Sequence, residues 1–153
     1  LMYQIGQEYP NVEIEVVPGV TAALSGGAVL GAPLMHDFAV ISLSDLLTPW
    51  EKIEKRLLMA SKADLVICLY NPSSRKRADY LQKACDLMMQ YKAPETVCGI
   101  VRNIGRDGEF AEIMSLAELR NKKVDMFTTV YIGNQETIEL NGKMVTPRGY
   151  RNV

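Results

Sequence analysis

The stretch Asp64-Leu65-Val66-Ile67-Cys68-Leu69-Tyr70 is the clearest structural signal in the sequence. Five consecutive apolar residues lie between an aspartate and a tyrosine, and Asn71-Pro72 follows immediately. A short apolar run that ends at a turn signal is typical of a strand buried on both faces. Such strands occur in sheets covered by helices on both sides, so this stretch favours an α/β fold.

The segments on either side of this strand alternate between strand-like and helix-like patterns. Strands are predicted over residues 12–17, 38–43, 96–101 and 126–132, and helices over residues 20–30, 50–61, 75–91 and 115–119. This alternation defines the α/β class. Only a short helix separates the last strands, so we expect a mixed sheet of about five strands with helices on both faces. No linker or repeat divides residues 1–153, which we interpret as one domain; the polar tail from residue 141 is expected to end in disorder.

Composition excludes several classes of function. The net charge is −1, which gives no electrostatic basis for binding nucleic acid or a membrane surface. The three cysteines, Cys68, Cys85 and Cys98, form no CxxC pair, so neither a disulfide framework nor a zinc site is indicated, and no metal is expected. With no signal peptide or membrane-spanning run in view, we predict a cytoplasmic protein.

Candidate chemistry lies where predicted strands end, because ligands of open α/β sheets bind beyond the carboxyl ends of the strands. Small or polar residues follow four strands, within residues 18–22, 42–45, 70–75 and 102–106. No Walker loop, GxGxxG, HExxH or GxSxG motif occurs, and His36 is the single histidine. The sequence therefore shows no hydrolytic triad.

Several segments carry a resemblance to a known family. Val16-Val17-Pro18-Gly19-Val20-Thr21-Ala22 is similar to a segment shared by the tetrapyrrole methylases. The segments at residues 41–50 (ISLSDLLTPW), 69–75 (LYNPSSR), 101–106 (VRNIGR), 128–134 (TTVYIGN) and 144–150 (MVTPRGY) resemble the precorrin-3B C17-methyltransferase branch. They follow the family's order and extend over nearly the whole chain.

The resemblance implies the second, C-terminal domain of a tetrapyrrole methylase, without the α/β domain that carries the family's glycine-rich and GDP-type loops. The implied enzyme uses S-adenosylmethionine to methylate C17 of a precorrin-3-type tetrapyrrole and to promote ring contraction in cobalamin biosynthesis. We expect the fragment to be inactive alone, because the family builds its donor site between two domains. Relatives of this kind are also expected to form homodimers.

The resemblance also assigns roles to individual residues. The residues implied to contact the methyl donor are Thr21, Ala22, Tyr70, Asn71, Asn103 and Thr129. Ser42, Ser44 and Asp45 would face the macrocycle, with Asp45 as the acid/base candidate for ring contraction. Arg75 and Arg106 would pair with acidic side chains of the substrate.

The sequence leaves a second hypothesis open. A non-catalytic α/β module that binds a ligand or a partner would share the same strand pattern. Loops of the glycine-rich and GDP types encoded upstream of Leu1 would favour the methylase, and a native start at Leu1 would favour the module.

Overall fold

The computed structural model describes residues 1–74 and 77–149. Its helices are α1 (Met2–Ile5), α2 (Ala22–Leu30), α3 (Trp50–Lys62), α4 (Tyr80–Met88) and α5 (Leu116–Leu119), and a 3-10 turn, Gly6–Glu8, follows α1. Its strands are β1 (Gly31–Ala32), β2 (Phe38–Ser42), β3 (Val66–Tyr70), β4 (Val97–Arg102), β5 (Phe110–Ser115), β6 (Thr128–Ile132), β7 (Ile138–Leu140) and β8 (Lys143–Val145). In the part of the chain described, no helix combines the length and the apolar character needed to cross a membrane.

Five strands form the central sheet in the order β2-β3-β6-β4-β5. Strands β2 and β3 run parallel, whereas β6 pairs antiparallel with both β3 and β4, and β5 pairs antiparallel with β4. The expected mixed five-stranded sheet is therefore confirmed. Strand β3 has a partner on each side, in agreement with its apolar run.

Helices cover both faces of this sheet, as the sequence predicted. Alternate residues of one strand point to opposite faces, so Ile67 and Leu69 pack with α3, α4 and α5. Cys68, which lies between them, packs on the other face with Ala23 and Leu30 of α2. Burial raises the pKa of the Cys68 thiol to about 12, which keeps it neutral in this second core.

The predicted strand over residues 12–17 is wrong. These residues form no regular element, and Val12, Val16 and Val17 are between 58% and 80% exposed. A strand needs a neighbour to pair with its backbone groups, and no described strand pairs with this segment. Its alternating pattern is real, but no strand of the sheet lies beside it.

The expected disorder of the tail is wrong for residues 143–146, because residues 143–145 form β8 and Thr146 is buried and hydrogen-bonded. Asn141 and Gly142 both have positive φ, at 51° and 72°, and connect β7 to β8 as a two-residue hairpin loop. This is the Asn-Gly turn that suits a tight hairpin. Strand β8 then pairs parallel with β1, forming a small second sheet that covers the end of α2.

Two element starts also differ from the sequence prediction. Helix α4 begins at Tyr80 rather than at residue 75, since residues 78–79 form a turn before it. Arg77 Nε, ahead of that turn, donates to Ser74 Oγ. Strand β6 begins at Thr128 rather than at residue 126, because Asp125 makes a turn with the two residues that follow it. Both differences leave polar or exposed side chains beside the candidate site.

Candidate active site

The ends of three strands and the start of a fourth meet at one edge of the central sheet. Asn71 follows β3 and Asn103 follows β4, and both have left-handed backbones, with φ of 52° and 53°. Asparagine adopts this conformation more readily than most residues. The chain therefore turns sharply at each strand end and leaves its amide side chain at the edge of the sheet.

The first turn of α2 reaches this edge and is held there by Tyr70. The Tyr70 hydroxyl accepts a hydrogen bond from the Ala23 N–H at 2.7 Å and shares another with Thr21 Oγ1 at 2.5 Å. The first N–H groups of a helix have no partner within the helix, so Tyr70 supplies one. Thr21 and Ala22 are thereby fixed next to the end of β3.

Tyr131 holds the same turn from below. Its side chain is fully buried, and its hydroxyl donates to the carbonyl oxygens of Ala22 and Ala23, both at 2.9 Å. Burial keeps the pKa of the Tyr131 phenol far above its ordinary value, so it remains a donor. The contact requires Gly26, because a Cβ there would lie 2.3 Å from the Tyr131 oxygen.

A cleft of about 260 Å³ opens between these elements. It is lined by Ala22, Tyr70, Asn71, Asn103, Ile104, Arg106, Met126, Phe127, Thr128 and Thr129. Five of the six residues implied to contact the methyl donor are in this lining, and the sixth, Thr21, is bonded to Tyr70. The structure thus brings together residues that are up to 108 positions apart.

Of the residues implied to face the macrocycle, Ser42 links the two loops that follow β2 and β3. Its hydroxyl oxygen accepts from Asn71 Nδ2 at 3.0 Å and from the Ser44 N–H at 3.2 Å. Ser42 and Ser44 therefore fix the course of the loop that leads to Asp45.

Asp45 lies in a second, larger cavity of about 1040 Å³. Its Oδ2 accepts a 2.6 Å hydrogen bond from the Tyr80 hydroxyl, and its Oδ1 lies 3.5 Å from Nη1 of Arg77. The carboxylate raises the pKa of the Tyr80 phenol, because ionising the phenol would break this bond and place two negative charges together. Trp50 packs against the Tyr80 ring, with centroids 4.4 Å apart.

The two arginines assigned to the substrate have different outcomes. Arg106 lines the smaller cleft, together with the residues implied to contact the donor, rather than the larger cavity. Arg75 lies outside the described residues. Arg77 lines the larger cavity instead, with a side chain only 16% exposed.

Among the lining residues to which sequence reasoning gave no role are Arg77, Tyr80, Met126 and Phe127. Arg77 was visible as the third member of a basic triplet, and Tyr80 as an apolar position of a helix. Met126 and Phe127 were assigned to the sheet, and their pattern gave no sign that they are exposed beside a cavity.

Comparisons with known proteins identify a family and several relatives of this chain. A family model described as "Tetrapyrrole (Corrin/Porphyrin) Methylases" matches residues 1–120. A Salmonella typhimurium protein named "Probable cobalt-factor III C(17)-methyltransferase" is 46% identical over 146 residues, which is 95% of this chain and 61% of that protein. A Sinorhizobium protein named "Precorrin-3B C(17)-methyltransferase" is 43% identical over 148 residues, or 94% of this chain and 58% of its own length.

Solved structures give a similar result. The crystal structure of the methyltransferase CobJ matches with a TM-score of 0.85 and 31% identity, over 95% of this chain and 62% of that one. A uroporphyrin-III C-methyl transferase from Thermus thermophilus, complexed with S-adenyl homocysteine, matches at 18% identity and a TM-score of 0.62, over 86% of this chain and 55% of its own; this likeness shows the fold alone. The chain spans about three fifths of the length of these two curated relatives.

Proposed function

The chain belongs to the tetrapyrrole (corrin/porphyrin) methylase family, and we propose that it forms the C-terminal domain of an S-adenosylmethionine-dependent enzyme that methylates C17 of a precorrin-3-type tetrapyrrole in cobalamin biosynthesis. The observation that carries the proposal is the meeting of the donor-site residues on one cleft, directly beside a larger cavity that contains Asp45. Two adjoining cavities are what a reaction between two bound molecules requires.

The smaller cleft fits part of a nucleoside-containing donor. Its lining combines side-chain amides of Asn71 and Asn103 with apolar surface from Ile104 and Phe127, which suits a heterocycle with polar edges. Its volume of about 260 Å³ is below the about 300–1000 Å³ of most cofactor sites. We infer that Thr21, Ala22, Tyr70, Asn71, Asn103 and Thr129 form one side of the donor site and that another domain completes it.

The bound donor supplies an electrophilic methyl group on a sulfonium. Alignment is the main requirement for transferring such a group to carbon, and the strand-end loops of this chain would provide it. Tyr70 and Tyr131 hold the start of α2 between them, so the backbone of Ala22 is fixed before the donor binds. Ser42 accepts hydrogen bonds from Asn71 and from Ser44, and so fixes the loop that carries Asp45 relative to Asn71.

Asp45 is proposed to move a proton at its Oδ1 atom during ring contraction. Tyr80 holds Oδ2 with a 2.6 Å bond, whereas the contact of Oδ1 with Arg77 is long, at 3.5 Å. Because Tyr80 holds Oδ2, the orientation of the carboxylate is fixed, and Oδ1 is the oxygen left to accept a proton from the substrate. Ser44 sets the loop that presents Asp45, and Arg106 and Arg75 are proposed to pair with substrate carboxylates.

A labelled methyl-transfer assay tests this function. The protein encoded by the complete reading frame that carries this chain would be incubated with methyl-labelled S-adenosylmethionine and, in turn, precorrin-3B and cobalt-factor III. We expect one labelled methyl group at C17. Asp45→Asn should lower kcat for the ring-contracted product about 100-fold or more, whereas Asp37→Asn, an exposed aspartate at the other end of β2, should not.

Two results would contradict the proposal. Label at another ring position would refute the substrate assignment, and unchanged ring contraction by Asp45→Asn would refute the role of Asp45. The proposal also includes a cytoplasmic homodimer, which cell fractionation and sedimentation velocity would test.

A further inference from the structure

Met126 and Phe127 form an apolar ledge between the two cavities. Both residues line the smaller cleft and the larger cavity, and no other residue is common to the two linings described. Met126 and Phe127 are 62% and 55% exposed, although each could bury a large apolar area. Large apolar side chains left exposed at a cavity mark a surface that binds something.

The backbone of this ledge is fixed by hydrogen bonds on both sides. Asp125 Oδ1 accepts from the Phe127 N–H at 3.0 Å and from Thr128 Oγ1 at 2.9 Å, and its Oδ2 accepts from Arg102 Nε at 2.8 Å. The Phe127 carbonyl accepts from the Asn103 N–H at 3.2 Å. A ledge held in this way loses little entropy when a ligand lies against it.

The rest of the larger cavity indicates the shape and charge of that ligand. Leu46, 79% exposed, and Val124 add apolar surface to that of the ledge. Arg77 places a mostly buried guanidinium in the wall; its Nε donates to Ser74, and its Nη1 makes only a long contact, at 3.5 Å, with Asp45 Oδ1. A volume of about 1040 Å³ is at the upper end of small-molecule sites. Together these features suit a broad, flat, apolar ring with anionic groups at its periphery.

We propose that Phe127 is a specificity-determining residue, against whose ring the face of the tetrapyrrole macrocycle stacks, and that Asp125 is its positioning residue. This inference rests on the proposed function. Because the ledge also lines the donor cleft, a macrocycle lying on it has its edge directed toward the donor. The carbonyl oxygen of Phe127 accepts a hydrogen bond from the Asn103 N–H, so one rigid segment positions both the macrocycle and the donor.

The chain contains its own reporter for a binding test. Trp50 is the single tryptophan and packs on Tyr80, which lines the larger cavity. The probe is uroporphyrin III, a planar polycarboxylated porphyrin whose main absorption band overlaps tryptophan emission. Titration of the 153-residue chain gives the affinity from the loss of Trp50 fluorescence, and the shift of the porphyrin band reports stacking.

We expect saturable quenching and a red-shifted porphyrin band with the wild type. Phe127→Ala should weaken binding about fivefold to tenfold and remove most of the band shift, because an aromatic contact and its buried area are lost. Phe127→Tyr should behave like the wild type. Phe38→Ala, which removes a 40% exposed phenylalanine at the opposite end of the sheet, is the matched control and should change neither readout.

Variants of Asp125 separate positioning from stability. Asp125→Ala should weaken binding about threefold and reduce the band shift, because the Phe127 N–H loses its acceptor. Asp125→Asn keeps an oxygen at that place and should restore both. A residue with a merely structural role would change the unfolding midpoint without changing the absorption band.

Each outcome of these titrations either supports or refutes the proposed role of Phe127. Equal affinity and an equal band shift in Phe127→Ala and the wild type would refute the ledge while leaving the proposed function intact. Absence of saturable quenching in the wild type would refute both the ledge and the larger cavity as a tetrapyrrole site. If Phe127→Ala failed to fold, Phe127→Leu retains the apolar volume without the ring, and an unchanged band shift there would equally refute the inference.

Discussion

Replacement of Gly26 by alanine tests how closely α2 must approach the sheet to build the smaller cleft, the proposed donor site. A Cβ at this position would lie 2.3 Å from the Tyr131 hydroxyl oxygen and 2.8 Å from Ile104 Cδ1. Tyr131 is fully buried, and moving its hydroxyl breaks the bonds to the Ala22 and Ala23 carbonyl oxygens. The helix or the tyrosine must therefore shift.

The expected cost follows from two opposing effects. Overpacking of a core costs about 1–3 kcal/mol, while alanine gains about 0.5–1 kcal/mol over glycine in a helix. We expect Gly26→Ala to lower the free energy of unfolding by about 1–2 kcal/mol. For a chain of this length that lowers the melting temperature by about 2–4 °C per kcal/mol.

The neighbouring glycine supplies a matched control within the same helix. A Cβ at Gly27 would lie 3.5 Å from Leu34 Cδ1, an ordinary van der Waals distance. Gly27→Ala should therefore stabilise the protein by about 0.5–1 kcal/mol. Urea denaturation followed by circular dichroism at 222 nm would measure both variants.

A double variant shows which contact causes the destabilisation by Gly26→Ala. In a Tyr131→Phe background the hydroxyl is absent, so Gly26→Ala should cost about 1 kcal/mol less than it does in the wild type. Equal unfolding midpoints for Gly26→Ala and Gly27→Ala would refute the close approach of α2. An unchanged cost in the Tyr131→Phe background would assign the clash to Ile104 alone.

Two further predictions concern the donor and a buried charge. Calorimetry of the 153-residue chain should give a Kd for S-adenosylmethionine weaker than low-micromolar, about −8 kcal/mol, because the cleft is proposed to form only one side of the donor site. The chain alone should also show no methyl-transfer turnover. A low-micromolar Kd would mean that the site is complete. Lys92 Nζ donates to the Leu65 and Gly133 carbonyls and to Asp64, so Lys92→Met should cost about 2–4 kcal/mol in urea denaturation. Burial lowers the pKa of Lys92 in the folded protein below its ordinary value of 10.5. Between the lowered pKa and 10.5 the unfolded state therefore binds more protons than the folded state, so the stability of the wild type relative to Lys92→Met should rise as the pH approaches 10.5. Parallel pH curves for the two proteins would contradict this.

The family and the class of the fold could be predicted from the sequence. The apolar run at residues 65–69 predicted a strand covered on both faces, and that strand is interior in the sheet. The predicted resemblance to the tetrapyrrole methylases is confirmed by the family match. The helix predicted over residues 115–119 is also confirmed, and Ser115 and Glu118 form a reciprocal capping box at its start.

Prediction from local sequence patterns failed where the structure of a segment depends on contacts with distant residues or on a single turn. Residues 12–17 have the alternation of a strand, but no neighbouring strand pairs with them. Asn141-Gly142 carried a hairpin signal that a polar composition obscured. Met126 and Phe127 looked like the start of a strand, but the Asp125 carboxylate turns the backbone before β6 begins.

The sequence by itself determined the buried run at residues 65–69, the alternation of strands with helices and the polar residues that follow the strands, because these depend on local periodicity and turn chemistry. Only the tertiary structure decided the strand order, the two cavities, the pairing of Asp45 with Tyr80 and the ledge between the cavities. Periodicity states which face of an element is apolar, but not which element will cover it. That choice is made by contacts between residues distant in sequence, such as Tyr131 and Ala22, which form only when the whole sheet assembles.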